Sequence, residues 1–192
     1  LWECPRLAAY LAMDSADARR EPESPNELMN RELWDYVGRE ATDDISGGGW
    51  VSSYTGEKLS REVMDEYGDN VLKKLAPRLT PETRVLEIGC ASGITLFRLA
   101  PRVGSYLGVD LSSEILARTE AVREERGLDH VRLRCLPAHE IHLLLEDNPG
   151  ERFDLIVLNS VVQSFHGHNY LHDVLEKCVG LLADRGAIFV GD

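Results

Sequence analysis

The sequence predicts an α/β fold in which helices cover both faces of a parallel sheet. From Thr83 onward, short apolar runs alternate with segments whose apolar residues recur at helical spacing. The apolar runs are almost continuous in Val, Ile and Leu, which is typical of strands buried on both faces. Alternating strands and helices of this kind build a parallel sheet. Hydrophobic residues make up 43% of the 192 residues, which is enough for a core of this type.

The sheet region, residues 81–192, is predicted to contain five strands. They lie at residues 84–88, 106–109, 131–135, 153–158 and 187–190. Three helices are predicted between them: residues 94–100, which Pro101 ends; a helix from the capping residue Ser112 to Gly127; and an apolar-faced helix over residues 171–182.

Residues 1–80 are polar and interrupted, and we interpret them as a separate helical segment in front of the sheet. Residues 24–25 could cap and start a helix that runs to about Val37. Ser60 could cap a second helix, whose apolar residues recur at helical spacing until Pro77. The chain is therefore expected to divide into a helical segment, 1–80, and a sheet domain, 81–192.

Charge, hydropathy and cysteine spacing exclude several classes of function. The net charge of -12 argues against tight binding to the phosphate backbone of a nucleic acid. No apolar run approaches the roughly 20 residues of a membrane span, and no secretion signal is recognised, so no membrane partner is expected. The four cysteines are scattered without C-x-x-C spacing. This favours reduced thiols in the cytoplasm over disulfides or a zinc site.

The turn after the first core strand is the candidate binding site, because parallel sheets bind ligands beyond the carboxyl ends of their strands. Gly89 and Gly93 would let a ligand come close to the backbone. Their G-x-x-x-G spacing differs from the G-x-G-x-x-G of dinucleotide folds, and the carboxylate of Glu87 would repel a phosphate group. Glu87 instead suits a cationic or amino-bearing ligand.

A second carboxylate, Asp110, closes the second strand. An acid about 20 residues beyond the glycines is placed to accept hydrogen bonds from ribose hydroxyls. A ribose joined to a positive group, without phosphate, describes S-adenosylmethionine (SAM). The alternative is that Glu87 and Asp110 only cap neighbouring helices or face solvent.

Three motifs, VLEIGCASG, YLGVDLS and FDLIVLNSVVQSF, resemble those of class I SAM-dependent methyltransferases. The resemblance covers roughly residues 80–192. It implies a Rossmann-like sheet with strand order 3-2-1-4-5, and S-adenosylhomocysteine (SAH) as product. Because that fold normally has two more strands, we expect them to lie beyond the end of this chain.

The resemblance also implies which residues bind the cofactor. The methionine end would lie among Glu87 and the glycine turn, the ribose at Asp110, and the adenine at the turn of residues 136–139. The chain departs from the family pattern at two positions: Ala91 replaces the middle glycine, and Pro137 replaces an acid after the third strand. Adenine contacts are therefore expected from the backbone of Ala138 and from the side chain of His139. The full set is Glu87, Gly89, Cys90, Ala91, Gly93, Asp110, Leu111, Ala138, His139 and Asn159.

Two histidines are candidates for a catalytic base. An alcohol needs a base to become a nucleophile, and a base should lie at the end of the fourth strand. His166 and His168 lie on a loop there, and an unperturbed histidine pKa near 6.5 suits proton uptake at neutral pH. The sequence does not choose between the two, and both could equally be polar surface. No carboxylate cluster supports a metal site with His172, so no metal is expected.

Segments outside the sheet resemble the methyltransferase domains embedded in modular nonribosomal peptide and polyketide synthases. Within that group, DDISGGGWVSSYTGE, GCASGIT and FHGHNYL resemble the O-methylating domains of polyketide modules. This implies methylation of a β-hydroxyl or enolised β-keto group on a chain tethered to an acyl carrier protein, with neighbouring synthase domains as partners. Two alternatives stay open: an N-methyltransferase domain of a nonribosomal peptide synthetase, and a SAM-binding structural insert without catalysis.

The segment in front of the sheet is interpreted as a lid. Glycines 47–49 could act as a hinge, and the aromatic side chains of Trp50 and Tyr54 could close over the cofactor and exclude water. Tyr54 is therefore a further candidate cofactor-binding residue. The alternative is that both aromatics only pack the helices onto the sheet.

Overall fold

The structure is a computed structural model that describes residues 26–191. Its centre is a sheet of five strands: β1 (Arg84–Ile88), β2 (Ser105–Asp110), β3 (Val131–Cys135), β4 (Phe153–Asn159) and β5 (Leu182–Gly191). All neighbouring strands are parallel, and their order is β3-β2-β1-β4-β5. The predicted α/β fold and strand order are therefore confirmed.

Seven α-helices surround the sheet within the described residues. They are α1 (Arg31–Glu40), α2 (Asp44–Gly47), α3 (Arg61–Leu75), α4 (Leu96–Leu99), α5 (Ser113–Glu125), α6 (Leu143–Asp147) and α7 (His168–Leu181). Short 3-10 turns connect several of them, including Val162–Ser164 after β4.

The two faces of the sheet bury separate groups of side chains. On one face, Leu86 and Ile156 pack with Val174 and Cys178 of α7. On the other face, strand residues pack with helical residues that include Val71, Leu75, Leu96, Leu99 and Leu116. Helices thus cover both faces, which is why β1, β2 and β4 are nearly continuous apolar runs. No helix within residues 26–191 has the length and hydropathy needed to cross a bilayer.

Two of the predicted helices begin where a serine caps them. Ser60 accepts a hydrogen bond from the Val63 N–H at the start of α3, and Ser112 accepts one from the Ile115 N–H at the start of α5. Each hydroxyl supplies a partner for a backbone donor that the first turn of a helix leaves unsatisfied.

Other boundaries differ from prediction. The expected cap at residues 24–25 lies outside the described residues; α1 starts at Arg31, where Asn30 Oδ1 accepts the Glu32 N–H at 2.8 Å. The helix predicted over 94–100 is a single α-helical turn, α4, followed by a 3-10 turn that contains Pro101. Strand β5 begins five positions before its predicted start at residue 187, with a register irregularity against β4.

Helix α1 is fixed against the start of α5. Asp35 Oδ1 accepts the Ser112 hydroxyl hydrogen at 2.7 Å and the Glu114 N–H at 3.4 Å. Gly38 faces the same helix, and a Cβ placed on it would lie 2.8 Å from the Ile115 nitrogen. This close contact holds the segment in front of the sheet beside the carboxyl end of β2.

Candidate functional site

A cavity of about 480 Å³ lies at the carboxyl ends of β1, β2 and β4. The strands and their following loops form its floor, and residues of the segment before β1 form its cover. That cover includes Leu28, Met29, Trp34, Gly48, Gly49, Trp50, Val51, Ser53 and Tyr67. This cavity therefore lies at the turn after β1, where the sequence predicts a binding site, and the segment before β1 covers it.

The turn after β1 carries an unusual backbone. Gly89 has φ of 76°, and Ala91 has φ of 42°, which is rare for a residue with a Cβ. A Cβ on Gly89 would lie 2.5 Å from Cγ2 of Val161, so this turn and the loop after β4 are in close contact. The absence of a side chain at Gly89 keeps the cavity floor open between two strand ends.

Asp110 ends β2, and its side chain is buried, with 7% exposed. Its Oδ2 accepts the Ala91 N–H at 2.9 Å, and its Oδ1 accepts the Ser112 N–H at 3.0 Å. Burial raises the pKa of this carboxyl group above its ordinary value. Asp110 thus joins the glycine turn to the start of α5, and it also lines the cavity.

Glu87 is the more deeply buried of the two carboxyl groups, with 2% exposed. The Tyr106 hydroxyl donates a hydrogen bond to Glu87 Oε2 at 2.8 Å. Burial raises the pKa of Glu87 to about 8, although the hydrogen bond from Tyr106 acts in the opposite direction. A cation in the cavity would favour the ionised carboxylate, so Glu87 suits a positively charged ligand.

Asn159 ends β4 and also lines the cavity. Its amide nitrogen donates hydrogen bonds to the Tyr67 hydroxyl and, at 3.2 Å, to Thr95 Oγ1. Its Oδ1 is buried and has no hydrogen-bond partner among the described residues, and the same holds for Ser92 Oγ beside the glycine turn. Buried polar atoms without a partner are costly, so both atoms fit a ligand with polar groups.

The part of the cavity at the ends of β2 and β3 is apolar. It is lined by Leu111, Leu136, Pro137, Ala138 and Phe165. The flat faces of a ring system such as adenine would fit against this apolar wall. Together with the two carboxyl groups and the unpaired polar atoms, these residues fit SAM.

Most of the predicted cofactor-binding residues lie together in this cavity. Those that line it are Glu87, Gly89, Cys90, Ala91, Asp110, Leu111, Ala138 and Asn159. Gly93 and His139 adjoin the cavity in sequence without lining it. The Nδ1 atom of His139 lies 3.0 Å from the Tyr170 hydroxyl. Their roles in binding stay predictions.

The two candidate bases and Tyr54 lie outside the cavity lining. His166 is exposed, its Nδ1 accepts the Asn26 N–H at 2.9 Å, and its ring contacts Tyr170 edge-on. His168 is the first residue of α7. Tyr54 is 99% exposed. Catalysis by either histidine, and cofactor binding by Tyr54, stay predictions.

Several residues of the cavity were not singled out as site residues from the sequence. Tyr67 lies in the helix that Ser60 caps, and neither it nor Thr95 or Phe165 was predicted as a site residue. A tyrosine hydroxyl in an otherwise apolar helical stripe is a weak signal, since such residues more often pack in a core. The position of Tyr67 depends on how α3 packs over the end of β4.

Comparisons with known proteins identify the family to which this chain belongs. Residues 86–188 match the family described as a methyltransferase domain. The chain is 39% identical over 189 residues to the probable non-canonical nonribosomal peptide synthetase CymA of Salinispora arenicola, covering 97% of this chain and 2% of that protein. It is 36% identical over 148 residues to the chondramide synthase cmdD of Chondromyces crocatus, covering 75% and 4%. This chain therefore spans only a small fraction of the length of these relatives.

A solved structure shows the same fold. The N-methyltransferase NodS from Bradyrhizobium japonicum, in complex with SAH, aligns with a TM-score of 0.56 and 20% identity, over 82% of this chain and 71% of that one. The family match spans the strands and turns that build the cavity. The chain belongs to the methyltransferase domain family, and its fold is that of solved SAM-dependent methyltransferases.

Proposed function

We propose that this chain is the methyltransferase domain of a nonribosomal peptide synthetase. We propose further that it methylates the amine of an aminoacyl or peptidyl thioester tethered to a carrier protein. The relatives named above include a nonribosomal peptide synthetase that is 39% identical over nearly the whole chain. Peptide synthesis uses amino acids, whose amines are nucleophiles. The neighbouring domains of such a synthetase would then be its partners.

The observation that favours an amine over an alcohol is the absence of an imidazole from the cavity. None of the histidines within residues 26–191 lines it. A β-hydroxyl group would need a base beside it, whereas an α-amine has a pKa near 8 and is partly neutral at pH 7 without help from the protein. The names of the relatives give no support to polyketide O-methylation, the acceptor that the sequence motifs favoured.

The chemistry asks the protein mainly to position its two substrates. SAM supplies a methyl group on a sulfonium: the amine lone pair forms an N–C bond, the C–S bond breaks, SAH leaves and the new ammonium releases a proton to solvent. Glu87, Asp110 and Asn159 would hold the cofactor by charge and hydrogen bonds. The apolar wall at Leu136 and Ala138 would take the adenine.

We also propose that the segment in front of the sheet, residues 1–80, acts as a lid. Of its described part, Trp34, Gly49, Trp50 and Tyr67 line the cavity, and the Trp50 and Tyr67 rings pack 4.9 Å apart between centroids. Such a cover would keep water from the reacting atoms.

The described cysteines are free thiols, which supports a reducing compartment such as the cytoplasm.

The experiment that tests the acceptor offers the chain two matched thioesters. One carries an α-amine and the other a β-hydroxyl, both on a pantetheine arm, each incubated with SAM. We expect the aminoacyl thioester to gain the mass of one methyl group, which fragmentation places on nitrogen. Methylation of the hydroxyacyl thioester alone would contradict the proposal. Binding of SAM without methylation of either compound would instead indicate a structural insert.

A further inference from the structure

We propose that Asn26 and His166 hold the start of the cover against the loop after β4, so that His166 is a positioning residue for the cavity. This inference rests on the proposed lid, and it does not depend on which acceptor is methylated. Asn26 comes directly before the 3-10 turn Glu27–Met29, and two residues of that turn line the cavity. His166 follows Phe165, which also lines it. The contact therefore joins two parts of the cavity wall that are 140 residues apart in sequence.

The side chain of Asn26 gives both of its N–H donors to the loop after β4. Its Nδ2 donates to the carbonyl of Gln163 at 3.1 Å and to the carbonyl of Phe165 at 3.2 Å. Its Oδ1 accepts the Leu28 N–H at 3.0 Å and so caps the 3-10 turn. An aspartate of the same shape would keep this cap, but it would direct an acceptor oxygen at two carbonyl groups. An asparagine at this position is therefore suited to the contact.

The imidazole of His166 supplies the third hydrogen bond of the contact. Its Nδ1 accepts the backbone N–H of Asn26 at 2.9 Å. A neutral imidazole has one acceptor nitrogen, and its other nitrogen carries the hydrogen. The one lone pair that could take up a proton is thus already used to hold the cover. This geometry favours a positioning role for His166 over the role of a catalytic base.

Helix α7 supports the His166 ring. The ring meets that of Tyr170 edge-on, with centroids 5.6 Å apart and planes at 84°. The Tyr170 ring also packs 4.9 Å from that of Phe165, and its hydroxyl accepts the His139 N–H at 3.2 Å. Tyr170 thus connects the His166 ring to the turn after β3. The acceptor nitrogen of His166 is therefore presented from a supported part of the sheet domain.

The contact determines where the first residues of the cover lie. Met29 packs against the buried core that includes Phe165, and Trp34 Nε1 donates to the Leu28 carbonyl at 2.6 Å. All four of these residues line the cavity. A single hydrogen bond near the surface contributes little net stability, but here three act on one residue. Loss of the contact should therefore release the 3-10 turn and part of the cavity wall together.

The test compares three variants that differ in the atoms they leave at the contact. Asn26→Asp removes both side-chain donors and keeps the capping oxygen, and His166→Leu removes the acceptor. His166→Asn keeps an acceptor, because asparagine bears its oxygen on Cγ, where histidine bears Nδ1. The matched control is His172→Leu, since His172 is an exposed histidine on α7 that does not line the cavity.

We expect the SAM dissociation constant, measured by calorimetry, to rise about 5-fold or more in Asn26→Asp and His166→Leu. This is the factor that corresponds to one lost hydrogen bond. In His166→Asn and His172→Leu it should stay within about 2-fold of wild type. Hydrogen exchange of amides in residues 27–34 should become faster in Asn26→Asp and His166→Leu, and it should stay as in wild type in the other two.

His166→Asn separates a positioning role from the other roles of a histidine. Wild-type SAM affinity in this variant would show that the acceptor atom is what matters. A loss of affinity equal to that of His166→Leu would show that the whole ring is needed, and would overturn the proposal. A fall in kcat with unchanged SAM affinity is the result expected of a catalytic base, and would overturn it as well.

The outcomes also separate this inference from the proposed function. Unchanged SAM affinity in both Asn26→Asp and His166→Leu would overturn the positioning role and leave the proposed function in place. A wild-type chain that binds SAM but methylates neither thioester would contradict the proposed function instead. The positioning role would still be decided by SAM affinity and hydrogen exchange, because neither measurement needs an acceptor.

Discussion

Glu87 is a buried carboxyl group whose charge should depend on what binds beside it. Its pKa of about 8 means that it is largely protonated at pH 7 when no cation is present. A cationic ligand favours the ionised form, so binding should release a proton from Glu87.

We therefore predict that SAM affinity rises with pH up to about pH 8. Calorimetry in buffers of different ionisation enthalpy should detect proton release near pH 7, and Glu87→Gln should remove the part that the protein contributes. Because the amino group of SAM ionises in the same way with both proteins, the difference between wild type and Glu87→Gln removes its contribution. An identical pH dependence in wild type and Glu87→Gln would contradict a role for the Glu87 charge.

The same shift predicts how stability depends on pH. The pKa of Glu87 in the folded chain, about 8, lies above its ordinary value of 4.5. Between these two pH values the folded state therefore binds more protons than the unfolded state. In the ligand-free chain, protonated Glu87 should therefore contribute to the free energy of unfolding. This contribution should be fully present below about pH 4.5 and lost as the pH rises through about 8. Denaturant unfolding across this range should show a decline in wild type and a smaller one in Glu87→Gln.

Residues whose position follows from the strands could be predicted from the sequence. Glu87 lies one residue before the end of β1 and Asp110 ends the neighbouring parallel strand β2, so their meeting in one cavity could be predicted. The partner of Glu87, the Tyr106 hydroxyl, could not, since a hydrogen bond inside the core depends on side-chain packing. His166 illustrates the converse: its place in the loop after β4 was predicted, but the direction of its side chain was not.

At the scale of elements, the contact between α1 and α5 determines whether the cover is held in place. Gly38 has no room for a Cβ, which would lie 2.8 Å from the Ile115 nitrogen, whereas nothing lies within 4 Å of a Cβ on Gly180 in α7. These two helical glycines offer a matched pair, because alanine is the better helix former at both positions.

We predict opposite effects from alanine at these positions. Gly38→Ala should lower the free energy of unfolding by about 1–3 kcal/mol through overpacking, and should weaken SAM binding because α1 carries Trp34 into the cavity wall. Gly180→Ala should raise the free energy of unfolding by about 0.5–1 kcal/mol and leave SAM affinity unchanged. Chemical denaturation and calorimetry measure both quantities. Equal effects at the two positions would argue against a close contact between α1 and α5.

The ends of the helices and strands were predicted correctly where a buried apolar run or a capping residue marks them. Strands β1 and β3 begin and end at the predicted residues, and Ser60 and Ser112 begin the expected helices. Strand β5 extends further, because its first half contains polar residues that give no apolar signal but still pair with β4. Helix α2 was not among the predicted helices, and a capping box between Asp43 and Ser46 stabilises it.

At the scale of the whole molecule, the account predicts that SAM orders the segment in front of the sheet. If this segment is a lid, hydrogen exchange of amides in residues 45–53 should slow when SAM binds, because Trp50 and its neighbours line the cavity. Amides in the second half of α7, which does not line the cavity, should be unaffected. Protection confined to the turn after β1 would show that the segment packs against the sheet without acting as a lid.

The most direct test of the account is a calorimetric titration of SAM into wild type and Asp110→Asn. Asp110 is chosen because it joins the glycine turn, α5 and the cavity, and circular dichroism would check that the variant folds. The account predicts saturable binding to wild type and affinity at least about 10-fold weaker in the variant, through loss of a charged acceptor. Absence of binding to the folded wild-type chain, or equal affinity in the two proteins, would contradict it.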